Sequence, residues 1–164
     1  MKKICFVVSD PLTARAFLTD QIAELGRSYE VGLAANGGGR DMDWARSLGL
    51  GDRIFTIPIE RKISPLRDAR ALFLLARLFR LHRFDAVHSV SPKAGLLAML
   101  AGAVAGVPVR THTFTGQVWA TRSGMGRALL KTADKIIAGL ATSLIVDSPS
   151  QRRFLFEQKV LSQE

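Results

Sequence analysis

The sequence predicts an α/β fold, doubly wound about a mainly parallel sheet, on three observations. Strand-like and helix-like stretches alternate from end to end of the 164 residues, as βαβ crossovers require. The strand cores ICFVV, AVHSV and LIV are apolar on both faces, which suits a sheet covered on both sides. Hydrophobic residues make up 48% of a chain long enough for one core and short for two. A single Rossmann-like domain over residues 1–164 is expected, and that composition speaks against disorder.

Each element has its own warrant. Ile4–Ser9 is an apolar run stopped by Asp10-Pro11, and Thr13–Arg27 follows with amphipathic helical spacing. Tyr29–Ala35 is the second strand. It ends at Asn36-Gly-Gly-Gly39, read as a flexible turn before a short helix over Met42–Leu48. Arg53–Ile59 gives the third strand, and Ser64-Pro65 opens a long helix to about Arg83. Ala86–Ser89 is the fourth strand. Ser91 is placed to cap the helix Pro92–Ala105, with Pro92 at its first position. Val107–Thr113 is the fifth strand, followed by a glycine-containing loop to Gly126 and a helix over Arg127–Ala141. Ser143–Asp147 is the sixth strand, and Ser148-Pro149 opens the last helix. No internal repeat stands out. The tail from Lys159 to Glu164 carries no stop signal and reads as a cut end.

Charge and motifs narrow the function. Lys and Arg number 23 against 14 Asp and Glu, a formal charge of +9 that predicts an anionic partner: nucleic acid, anionic lipid or a phosphorylated small molecule. The aromatic-plus-basic strand motifs of RNA modules and a helix-turn-helix signal are both missing, so nucleic acid is set aside. Cys5 is the single cysteine, set in an apolar strand, and reads as a small buried hydrophobe in a reducing compartment. The uncharged apolar run Ala94–Val109 has 16 residues, fewer than the ~20 a spanning helix needs. A cytoplasmic protein is expected. No G-x-G-x-x-G follows the first strand and no P-loop occurs, which disfavours a dinucleotide cofactor and a P-loop nucleotide site. His82, His88 and His112 lack ligand spacing, so no metal is expected.

Ligands of such folds bind at the carboxyl ends of strands, near the point where strand order reverses. Three tips therefore carry the candidate residues: Asp10 and Thr13 after the first strand, Ser89 and Lys93 around the fourth, and His112, Thr113, Thr115 and Gly116 around the fifth. Lys93 sits at a helix N-terminus, whose free N–H groups suit an anion, or else it is simply solvated. His112 reads equally as a site residue or as a structural one. The stretch Thr111 to Trp119 gathers hydroxyls, an amide and an indole, which suits a sugar or an ordinary packed loop. Arg70, Arg77 and Arg80 share one helix face with apolar neighbours. Arg127, Lys131 and Lys135 form a second stripe. These faces are either solvated or suited to an anionic membrane surface.

Three blocks carry a resemblance: SDPLTARAFL, HSVSPKAGLLAMLAGAVAGVPVRTHTFTGQVW and ADKIIAGLATSLIVDSPSQRRFL. In order and content they resemble the N-terminal domain of bacterial GT-B glycosyltransferases, in the large retaining, sugar-nucleotide-dependent family, and most of all members that build surface polysaccharides. The resemblance implies the acceptor-side half of a two-domain enzyme, inactive alone, with a C-terminal domain holding the nucleotide-sugar donor. It implies a lipid-linked or saccharide acceptor at the inner face of the plasma membrane, and metal-free transfer with retention. Many relatives carry a double glycine after the first strand, where this chain has Asp10-Pro-Leu-Thr13. Many also carry His before the glycine that follows the fifth strand, where this chain has Thr115. The Glu-x7-Glu pair of the second domain is absent; Glu157 and Glu164 are seven apart. The alternative is a non-catalytic nucleotide- or phospho-ligand-binding module.

Overall fold

The computed structural model describes residues 1–37, 39–60 and 62–161, with the backbone alone for Gly39 and Arg40. Gly38 of the glycine turn, Arg61 and Glu164 lie outside the described residues. Six strands form one sheet: β1 (Lys3–Val7), β2 (Glu30–Ala35), β3 (Ile54–Thr56), β4 (Ala86–Val90), β5 (Val109–Phe114) and β6 (Ser143–Val146). Their order is β3-β2-β1-β4-β5-β6 and every pair is parallel. This is the expected doubly wound arrangement, and its order reverses between β1 and β4.

The helices are α1 (Pro11–Phe17), α2 (Thr19–Leu25), α3 (Asp43–Ser47), α4 (Pro65–His82), α5 (Pro92–Ala105), α6 (Gly124–Leu140) and α7 (Pro149–Glu157). Alternation along β1 divides the core: Cys5 and Val7 enter one cluster, Phe6 and Val8 the other. The first cluster is covered by α4 to α7 through Leu75, Phe79, Met99, Ile137 and Leu155. The second is covered by α1 to α3 through Ala14, Ile22 and Ala45. Cover on that second face thins toward β6, where Val109 and Ile145 remain 45% and 44% exposed. On the opposite face α5 lies close to the sheet because Gly102 leaves room for Val87 and the stem of Arg110, and Gly95 for His112.

Several boundaries differ from the sequence reading. The helix expected over Thr13–Arg27 is two helices with Leu18 between them. The i→i−4 bonds of Leu18 and Ile22 survive, while the Thr19 hydroxyl donates to the Arg15 carbonyl (2.6 Å), a back-bond of the kind that bends helices. The third strand shortens to three residues at the sheet edge, because Pro58 has no N–H to continue it. The fifth strand starts after Pro108 for the same reason, and α6 begins three residues early, at Gly124.

Candidate functional site at the strand tips

The tips after β1 and β4 meet at the reversal point. Ser9 follows β1, Ser91 follows β4, and their hydroxyl oxygens lie 3.1 Å apart. This overturns the capping role expected of Ser91. Its side chain makes no cap bond to α5, and its backbone takes φ 80°, ψ 143°, a region that costs a non-glycine residue strain. The hydroxyl links two strand tips instead. Asp10 caps α1 by accepting from the Leu12 N–H (2.9 Å), and Thr13 lies half-buried in the first turn of α1.

Around β4 and β5 the candidates part company. Ser89 is fully buried and its Oγ lies 2.8 Å from His112 Nδ1. His112 is 1% exposed, edge-on to Phe114, and too deep to touch a ligand at the rim. Burial, with nearby His88 adding to it, lowers its pKa to about 4, so the ring is neutral at pH 7. The structure thus places His112 in the core, with Ser89 buried beside it. His88 Nε2 lies 2.8 Å from Thr113 Oγ1, which occupies that hydroxyl. Thr115 and Gly116 are exposed at the tip of β5, and a Cβ at Gly116 would meet only open space. Lys93 is not a free cation at the helix end. It pairs with Asp68 of α4 (2.6 Å) and also donates to the Lys62 carbonyl.

Trp119 is likewise no platform for a sugar. It is 1% exposed, stacked on Phe154, and its Nε1 donates to Asp134 Oδ2 (2.7 Å). Burial raises the Asp134 carboxyl to about 6, and the indole N–H works against that rise. Arg127 and Lys131 lie over the same indole and both donate to Gln158 Oε1. Lys131 is therefore tied to α7, whereas Lys135 is exposed.

A further opening lies at the tips of β1 and β2. It is a cavity of about 760 Å³ beside α1 and α3, lined among others by Asp10, Arg15, Asn36, Asp41, Asp43 and Trp44. Of these the sequence reading singled out Asp10 alone. The available signal was positional: a polar run after the second strand of a doubly wound sheet falls at a ligand-bearing edge. On the other layer, α4 turns Arg70, Arg77 and Arg80 outward, interleaved with Leu66 (87% exposed), Phe73 (65%) and Leu81 (68%). A shallow groove of about 350 Å³ runs beside Phe73, Arg77 and Arg80. Among the described residues no group of His, Cys, Asp and Glu side chains could hold a metal, and no helix is long and apolar enough to cross a membrane.

The fold is that of a Rossmann-like α/β domain with an all-parallel sheet. Comparison with known proteins makes this specific: the chain belongs to the glycosyl transferase 4-like domain family, whose model matches residues 13–163. Over 65 residues, 39% of this chain and 17% of the relative, it is 38% identical to the UDP-Gal:alpha-D-GlcNAc-diphosphoundecaprenol alpha-1,3-galactosyltransferase of Escherichia coli. Over 94 residues, 57% of this chain and 25% of the relative, it is 32% identical to the capsular polysaccharide biosynthesis glycosyltransferase CapM of Staphylococcus aureus. Among solved structures, MurG of Acinetobacter baumannii superposes with a TM-score of 0.64 at 16% identity, over 92% of this chain and 42% of that one. The UDP-N-acetylglucosamine 2-epimerase of Rickettsia bellii superposes with a TM-score of 0.73 at 15% identity, over 99% and 43%. The chain spans less than half the length of each of these four proteins. The two structural likenesses establish the GT-B-type fold; since one of these proteins is an epimerase, fold alone does not choose the chemistry.

Proposed function

We propose that the chain is the N-terminal, acceptor-side lobe of a glycosyltransferase of surface polysaccharide synthesis. A second lobe binds the nucleotide-sugar donor, and the sugar passes with retention to a lipid-linked or saccharide acceptor. The observation that carries this reading is the family match over residues 13–163, supported by two relatives whose names describe sugar transfer in glycolipid or capsule synthesis. In the reaction an acceptor hydroxyl takes the anomeric carbon and the nucleoside diphosphate leaves. The charge gathering on that diphosphate calls for basic groups and helix ends, and the tip residues of this lobe supply few free ones, since Lys93 is paired. The donor side of the work therefore falls to the second lobe.

On the same reading the enzyme works at the inner face of the plasma membrane. The outward face of α4 alternates arginine with leucine and phenylalanine, so acidic headgroups meet charge while the apolar side chains enter the boundary of the acyl layer. The test supplies labelled nucleotide sugars and vesicles carrying a polyprenyl-diphosphate-linked sugar to two forms, the 164-residue chain and the longest product of its reading frame. Label is expected in the lipid fraction with the longer form and not with the shorter. A longer form that binds nucleotide sugars and transfers none of them would make this a non-catalytic binding module.

A further inference from the structure

The β5–α6 connection, residues 115–123, starts at the carboxyl tip of β5 and hangs on one side chain. Seven of its nine residues are exposed and Gln117 is half-buried; Trp119 is buried, with 1% exposed. Two backbone bonds, Ala120 N–H to the Gln117 carbonyl (2.9 Å) and Arg122 N–H to the Trp119 carbonyl (3.1 Å), fold the connection on itself. Arg127 reaches its carbonyls at Ala120 and Arg122 with long bonds of 3.3 and 3.5 Å. The indole makes the close attachment. Phe154 of α7 stacks on it (5.4 Å between centroids, 18°), Arg127 and Lys131 of α6 lie over it at 5.3 and 5.5 Å, and its N–H donates to Asp134 Oδ2 at 2.7 Å.

Packing does not explain Asp134. It is 2% exposed, and a buried carboxylate costs what an apolar side chain on the same helix face avoids; Ile137, the next buried residue of α6, is such a side chain. What the carboxylate adds is direction. A stacked ring can slide over Phe154, but an N–H held on a buried acceptor fixes the ring and the chain on either side of it. We propose that Asp134 is a positioning residue, which through Trp119 clasps the β5–α6 connection to α6 and α7 and so fixes the exposed strand tip Thr115–Gly116. That this tip meets the acceptor rests on the transferase reading above; the clasp does not. Arg127 and Lys131 donate to Gln158 rather than to Asp134, Lys135 and Lys159 lie beside Lys131, and His112 lies beyond Ile137 with its pKa lowered to about 4. Burial raises the Asp134 carboxyl to about 6, so a step near that pH belongs to Asp134. The indole bond is charge-assisted above it and weaker below it.

In the ¹⁵N-labelled 164-residue chain, the indole N–H of Trp119 and the amides of Thr115 and Gly116 are followed from pH 7 to 5, with the indole of Trp44 as reference. All three signals are expected to move with one midpoint near 6 while Trp44 stays in place. Asp134→Asn, whose amide oxygen still accepts the N–H, should abolish that step and leave the tip signals near their pH 7 positions. Trp119→Phe keeps a stacked ring without the N–H. It should speed hydrogen exchange of the Ala120 and Arg122 amides about tenfold relative to those of β1 and β4, the scale of one charge-assisted hydrogen bond. Tip amides that ignore the step at the indole, or protection lost evenly over the whole sheet, overturn the proposal and leave the pair an ordinary core contact. In the longer product of the reading frame, Trp119→Phe should raise the KM for a polyprenyl-diphosphate-linked sugar and leave that for the nucleotide sugar unchanged. If the longer form transfers no sugar, the transferase reading falls and the tip signals alone decide the clasp. If it transfers sugar and Trp119→Phe acts on both substrates alike, the positioning role falls and the transferase reading stands.

Discussion

A Cβ built on Gly95 would lie against His112 Cε1 and 2.7 Å from its Nδ1, with Ile137 Cδ1 at 3.1 Å. None of these neighbours has room to retreat: His112 is held by Ser89 and Phe114, and Ile137 is fully buried. Gly95→Ala should therefore destabilise the fold by about 1–3 kcal/mol despite its better helix propensity, measured by denaturant unfolding. The same histidines set a pH dependence. Burial lowers both His88 and His112 to about 4, whereas the unfolded chain titrates near 6.5. The unfolded state then binds more protons between these values. The stabilisation is complete above pH 6.5 and is lost as pH falls toward 4. Asp134, raised by burial to about 6, contributes the opposite slope over part of that window, one group against two. Tm should fall on going from pH 7 to 4.5, and His112→Gln should flatten the curve. A Tm constant across that range would mean that the rings are not neutral in the core.

At the scale of the element, α4 has two faces with separate duties. Leu75 and Phe79 enter the core, and Leu75→Ala should cost about 2–5 kcal/mol in equilibrium unfolding through the cavity it leaves. The outward face carries no such load. Reversing charge at Arg70, Arg77 and Arg80 should leave the circular dichroism unchanged and release the protein from anionic vesicles at low salt, since each arginine contributes about 1 kcal/mol at such a surface. Arg80 also donates to the Val104 carbonyl, so the double variant at Arg70 and Arg77 is the cleaner probe. Vesicle binding indifferent to both variants would leave α4 a solvated face. The helix itself was legible because Ser64-Pro65 marks its start and its apolar spacing is regular. The break at Leu18 was not, because it depends on one hydroxyl turning back onto a carbonyl.

At the scale of the molecule, the doubly wound, parallel architecture could be read from alternation, since apolar strands joined by helices have few other ways to pack. The site was read less well. Pattern located the tips but could not tell which polar side chains the tips would consume. Ser89 pairs with His112, Lys93 with Asp68 and Trp119 with Asp134, each across a separation in sequence that no local rule spans. Asp41 and Trp44 escaped notice because they lie in short helical turns with no motif around them. The central strand carries a further consequence. Cys5 lies fully buried between β2 and β4, and its thiol pKa is raised by that burial. Alkylating reagents can reach it only when the middle of the sheet parts, so the rate at which iodoacetamide labels this lone sulfur clocks the rarest and largest opening of the protein.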